Sequence, residues 1–110
     1  MERKIILVPK DKAAQIALDH DTATPSQLME LSLSQTEFKE LIRTGFFDLI
    51  NHIAGVNIDD YEDECIEEKE KLEKVLQSAL FATNVTGKVA QIKSLFEAAI
   101  SRGTGVYFYF

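Results

Sequence analysis

Two short runs of β-branched and aromatic residues lie at opposite ends of the chain, and the residues between them read as helix. Residues Arg3 to Val8 run Arg-Lys-Ile-Ile-Leu-Val and stop at Pro9, while Val106 to Phe110 run Val-Tyr-Phe-Tyr-Phe. The first run is contiguous and apolar, the pattern of a strand buried on both faces. The second alternates strictly, setting Val106, Phe108 and Phe110 on one face and Tyr107 and Tyr109 on the other. A strand needs neighbours for its backbone donors and acceptors. With only helices between them, these two have each other. The expected fold is α+β: four to five helices packed on a small sheet formed by the N- and C-terminal strands. A chain of 110 residues is expected to form one domain, residues 1–110, around one core.

The helices are announced by their start signals. Asp11 caps a short helix from Lys12 to about Asp19. Thr24-Pro25-Ser26-Gln27 combines a cap, a proline at the first helical position and a glutamine reaching back, and predicts a brief helix burying Leu28 and Leu31. Ser34-Gln35-Thr36-Glu37 is a capping box opening a longer helix to Gly55, with Phe38, Leu41, Ile42, Phe46, Leu49, Ile50 and Ile53 at three- and four-residue spacing. Gly45 falls on that stripe, where a missing side chain would admit a close backbone. After a loop at Thr83 to Thr86, a last helix from Gly87 to Arg102 buries Val89, Ile92, Leu95, Phe96, Ala99 and Ile100.

Charge is concentrated in one place. Residues 59–73 hold nine acidic and two basic residues, a local charge of −7 against −6 for the whole chain. Asp59, with Glu62 three residues on, predicts a helix whose stripe is Tyr61, Cys65, Leu72, Val75, Leu76, Ala79 and Leu80. Within it Glu67–Lys71 and Glu70–Lys74 are favourable pairs four apart. Asp59–Asp63, Asp60–Glu64, Asp63–Glu67 and Glu64–Glu68 are unfavourable ones, each costing about 0.2–0.5 kcal/mol. A helix selected for stability alone would mix its signs. The excess points to an electrostatic docking surface for a basic partner, since complementary charge speeds encounter and excludes wrong partners. Its candidate residues are Asp59, Asp60, Tyr61, Glu62, Asp63, Glu64, Glu67 and Glu68, with Phe47 a further candidate anchor. Tyr107 and Tyr109, beside the open edge of a two-stranded sheet, form a second candidate surface.

Catalytic and metal-binding patterns fail one by one. An EF-hand loop counted from Asp59 would place Tyr61 third and Glu64 where glycine is required. Two histidines without paired cysteines do not make a structural zinc site. Asp48 and His52 stand four apart, as a base and its orienting carboxylate would, but no nucleophile accompanies them and a surface ion pair is the simpler reading. Asp19-His20-Asp21 ends a helix, where such residues are common. Cys65, the only cysteine, lies among carboxylates that suppress its thiolate, and packing is the simpler role. A single cysteine, no run of eighteen apolar residues and an N-terminal apolar run too short for a signal peptide point to the cytoplasm. An acidic balance argues against direct contact with nucleic acid or anionic membrane.

In type, a small acidic chain without catalytic motifs resembles the immunity proteins that neutralise bacterial nuclease toxins. Ser34-Gln-Thr-Glu-Phe-Lys-Glu-Leu is similar to the capped helix opening of colicin-nuclease immunity proteins. Those proteins lack strands at their ends, so their fold is not implied. The immunity proteins of contact-dependent inhibition, more varied in fold, accommodate the pattern better. The resemblance implies a non-enzymatic inhibitor, without cofactor or metal, whose acidic helix covers a basic toxin or nuclease domain. A second reading is a homodimer or adaptor assembling through the terminal sheet edge.

Overall fold

The computed structural model describes residues 4–59, 62–81 and 87–110. Among these residues five helices pack with a four-stranded antiparallel sheet, so the α+β expectation holds. The end strands, β1 (Lys4–Pro9) and β4 (Val106–Tyr109), pair antiparallel, with Ile6 opposite Phe108. They form the middle of the sheet rather than the whole of it. A strand β2 (Leu28–Leu33) lies outside β1, and a three-residue strand β3 (Glu64–Ile66) lies outside β4, giving the order β2-β1-β4-β3.

Both added strands correct the sequence reading. The start signal at Thr24 is real: Gln27 Oε1 accepts from the Thr24 N–H at 3.0 Å. It governs only a single 3-10 turn, Pro25–Gln27. The next residues, Leu-Met-Glu-Leu-Ser-Leu, obey a period of two, sending Met29, Leu31 and Leu33 to the core. Backbone pairing with β1 from Lys4–Leu33 to Pro9–Leu28 secures that choice over a helix. The expected acidic helix is likewise absent as such. Its N-terminal part supplies β3, and helix α4 begins only at Lys69 and runs to Gln77. Asp59–Asp63, Asp63–Glu67 and Glu64–Glu68, reckoned at helical spacing, are therefore not helical neighbours, and Asp60 lies outside the described residues.

The other helices are α1 (Lys12–Asp19), α2 (Gln35–Arg43), α3 (Phe46–Ala54) and α5 (Gly87–Arg102). Asp11 caps α1, its Oδ1 accepting from Ala14 N–H at 2.8 Å, and the Ser34–Glu37 capping box closes on α2 in both directions. The long helix expected from Ser34 to Gly55 is two helices. Gly45, at φ +78°, turns the chain between them, and a Cβ there would meet nothing within 4 Å. Its glycine serves backbone conformation, not close approach. Splitting the helix lets Phe38 and Phe47 both enter the core, where each ring lies about 5 Å from Phe110. Phe47 is 1% exposed, so it is a core residue and not a surface anchor.

Helices α2 to α5 belong to the core face of the sheet, with Ile6, Val8, Ile66, Val106 and Phe108 beneath them. Ile5, Leu7, Tyr107 and Tyr109 occupy the other face, and α1 covers part of it. Among the described residues no helix is long and apolar enough to cross a membrane.

Candidate functional site

Tyr107 projects from β4 onto the second face of the sheet and is only 6% exposed. Its hydroxyl donates to Glu67 Oε2 at 2.6 Å and accepts from Gln15 Nε2 at 3.0 Å. Gln15 Nε2 also reaches Glu67 at 3.2 Å, so three side chains from α1, β4 and the β3–α4 connection close on one another. Burial, and then the hydrogen bond to Glu67, hold the Tyr107 phenol well above its ordinary value. This clamp fixes where α1 ends relative to β3.

Between those two lies a cleft of about 340 Å³. Leu18, Asp19 and Asp21 form the α1 side, Asp63, Glu64 and Cys65 the β3 side, and Tyr107 and Tyr109 the sheet side. The two tyrosine rings run nearly parallel, 17° apart, with centroids separated by 6.5 Å, the repeat of alternate residues on a strand. Burial raises the Tyr109 phenol, with Asp63, Asp21 and Asp19 among the further causes. The Cys65 thiol is pushed up to about 11 by burial, then by Glu67 and Glu64. A thiol of that pKa is protonated at neutral pH and is a poor nucleophile. Cys65 lines the cleft half-buried on the second face instead of packing in the core.

The acids of this cleft stand where stability alone would not place them. Asp19 is the last residue of α1 and Asp21 lies two residues beyond it, both at the negative end of its dipole. Asp21 adopts a left-handed φ of 57°, at the position where a helix normally stops with glycine. The stop itself is well formed: Thr22 N–H reaches Ala17 O at 2.8 Å and Asp21 N–H reaches Leu18 O at 3.1 Å. Among the described residues no cation pairs with Asp19, Asp21 or Asp63, whereas Glu37, Glu40 and Glu68 each have one. Four carboxylates from two distant segments thus line one cleft, and among the described residues the charge of Asp19, Asp21 and Asp63 is not paired with a cation.

Other predicted site residues are distributed differently. Asp60 and Tyr61 lie outside the described residues, as does the expected loop at Thr83 to Thr86. Asp59 and Glu64 organise the approach to β3. Asp59 Oδ1 accepts from Glu62 N–H at 3.2 Å, and Glu64 accepts from Asn57 N–H at 3.1 Å and from its neighbour Cys65 N–H at 2.9 Å. Asn51 pins the same loop from α3, its side chain donating to Ile58 O and accepting from Ile58 N–H at 3.0 and 2.7 Å. Glu62 is exposed, and Glu68 pairs with Lys71 at 3.2 Å. Glu67, the expected partner of Lys71, is turned instead to Tyr107. Asp48 and His52 are exposed on α3, away from the cleft-lining residues.

Tyr107 and Tyr109 do share a face, as their alternation predicts, but only Tyr109 is partly open. Neither borders a free edge, because β4 is paired with β1 and β3. The open edges belong to β2 and to the short, acid-flanked β3, which removes the terminal-strand edge as an assembly surface. Asp19 and Asp21 are the site residues that sequence reasoning set aside.

The whole arrangement is similar to the solved structure of a Neisseria DNA mimic protein, DMP12. The TM-score is 0.67 and the identity 21%, over 99% of this chain and 100% of that one. At that identity the likeness is one of fold. No protein-family model matches the chain, and no curated protein matches it.

Proposed function

We propose that this chain is a non-enzymatic binding protein that takes the place of nucleic acid in the groove of a basic, nucleic-acid-binding protein. The observation that carries the proposal is the cleft where Asp19, Asp21, Asp63 and Glu64 converge, with no cation on the first three among the described residues. Uncompensated carboxylates repel one another, and a partner lined with lysine and arginine would relieve that repulsion. The fold likeness to a DNA mimic supports the same class of role; in this chain the cleft carboxylates would stand for phosphates. Inhibition then needs no chemistry from this chain, because occupying the groove is enough to exclude the substrate.

The immunity-protein resemblance narrows the target to a nuclease toxin. One experiment addresses both levels. The tagged protein is used to capture its partner from the native host at low salt, and the purified complex is then titrated with duplex DNA. Mutually exclusive binding, weakened by salt, is the expected result. A ternary complex with DNA still bound would overturn the mimic reading. Nuclease activity in the captured partner, silenced by stoichiometric addition of this chain, is what the narrower reading requires. Reversing Asp19 and Asp63 to Lys should abolish capture while the circular-dichroism spectrum is unchanged.

A further inference from the structure

Helix α1 covers only part of the second sheet face. Leu7 and Tyr107, one cross-strand pair, are buried, while the next pair, Ile5 and Tyr109, is only half-covered. Continuing the β3–β4 register by one residue from Glu64–Phe108 places Asp63 beside Tyr109. A half-bare aromatic and aliphatic strip is thus bordered by Asp63 on one side and by Asp19 and Asp21 above. The Tyr107 hydroxyl is already engaged by Glu67 and Gln15, whereas Tyr109 is partly exposed.

We propose that this half-bare face is the docking surface for an arginine side chain of the partner, with the guanidinium lying on the Tyr109 ring between Asp63 and the Asp19–Asp21 turn. The inference rests on the basic-partner reading above and adds to it a preferred residue and a place. Charge complementarity selects a cation, and the flat aromatic wall selects between the two available ones. A guanidinium is planar, is weakly hydrated, stacks on aromatic rings and meets carboxylates two at a time. A lysine ammonium is a compact, strongly hydrated point charge and gains less from the ring. Leu18 and Ile5 offer apolar surface to the side-chain stem, which arginine buries while its head remains polar.

The test uses the intact protein, labelled with nitrogen-15 and titrated at low salt with tri-arginine amide and, separately, tri-lysine amide. Tri-arginine should move the amides of Asp63, Cys65, Tyr107 and Tyr109 and half-saturate at about a fivefold lower concentration than tri-lysine. Tyr109→Phe keeps the ring and should keep the preference. Tyr109→Leu should remove the preference and leave a weak attraction common to both peptides. Equal half-saturation by the two peptides, or shifts spread evenly over all exposed acids, would overturn the proposal. Its failure is distinguishable from that of the broader reading. If the captured partner binds Tyr109→Leu at full strength and still loses it to DNA, the arginine surface falls and the mimic stands.

Discussion

Replacing Asp21 with glycine should make the protein more stable and a poorer binder. At φ 57° Asp21 holds a left-handed conformation. That conformation costs a residue with a Cβ about 1–2 kcal/mol, with aspartate toward the lower end. Its carboxylate also stands at the negative end of α1, which costs about 0.3–1 kcal/mol. Against these gains, glycine gives the unfolded chain more freedom, worth about 0.4–1 kcal/mol. The net stabilisation is about 0.5–1 kcal/mol. For 110 residues the unfolding entropy is about 0.23 kcal/mol/K, so Tm should rise by about 2–4 °C. Asp21→Asn separates the contributions, because the amide tolerates the conformation and lacks the charge. It should gain about 0.3 kcal/mol. Asp21→Ala should fall about 1 kcal/mol below the glycine variant. Urea unfolding read at a common m value measures all three, and partner affinity should drop in each. A glycine variant no more stable than the parent, at equal m, would refute the idea that this position gives up stability for charge.

Tyr107→Phe removes the hydroxyl that joins α1 to the β3–α4 connection. Glu67 stays in contact with solvent, so the loss should be about 1–2 kcal/mol, visible as a lower urea midpoint, with partner binding weakened as the cleft walls drift apart. Asn51→Ala strips both partners from the Ile58 backbone and should cost about 2 kcal/mol; Asn51→Asp keeps the acceptor for Ile58 N–H but sets a carboxylate oxygen against Ile58 O, and should cost at least as much. Gly45→Leu should cost about 1–2 kcal/mol through its positive φ alone, and Gly45→Asn markedly less, an order that thermal melts will check. In alkali, the raised pKa values of Cys65 and Tyr107 mean that the native state holds protons which the unfolded chain releases. Stability present below pH 9.0 should therefore be lost as pH rises through about 11, and Cys65→Ser should flatten part of that decline.

How much of this was legible in the sequence follows from which signals are local. The pairing of the end strands was readable because their composition left no other role, and the split of Val106 and Phe108 from the tyrosines followed from period two. Strand β2 was hidden because Leu28 and Leu31 also fit a helical spacing, and the start signal at Thr24 determines only the turn it caps. Strand β3 is three residues long and begins with glutamate. Only Ile66 in it favours extension, and the long-range pairing with β4 makes it a strand. The acidic stretch was correctly located as a concentration of charge but was given the wrong shape. Asp19 and Asp21 read from sequence as an ordinary helix end, because residues some forty positions apart meet at Asp63 only where the Tyr107 clamp holds α1 over β4. Gly45 was noticed for the right residue and the wrong cause.

The central position of β1 and β4 has a consequence for the nascent chain. Some hundred residues separate the two strands, so the ribosome takes about 5–20 s to supply β4 after β1 has emerged. In that interval β1 and β2 can pair as a local ribbon, but Ile6, Val8, Leu31 and Leu33 have no completed core above them and both long edges lie open. A ribbon of that kind is a template for its own copies on a crowded polysome. Residues 59–73, which emerge after α2 and α3, bring a charge of −7 to the unfinished chain, and repulsion between neighbouring copies would hold those edges apart until β4 arrives.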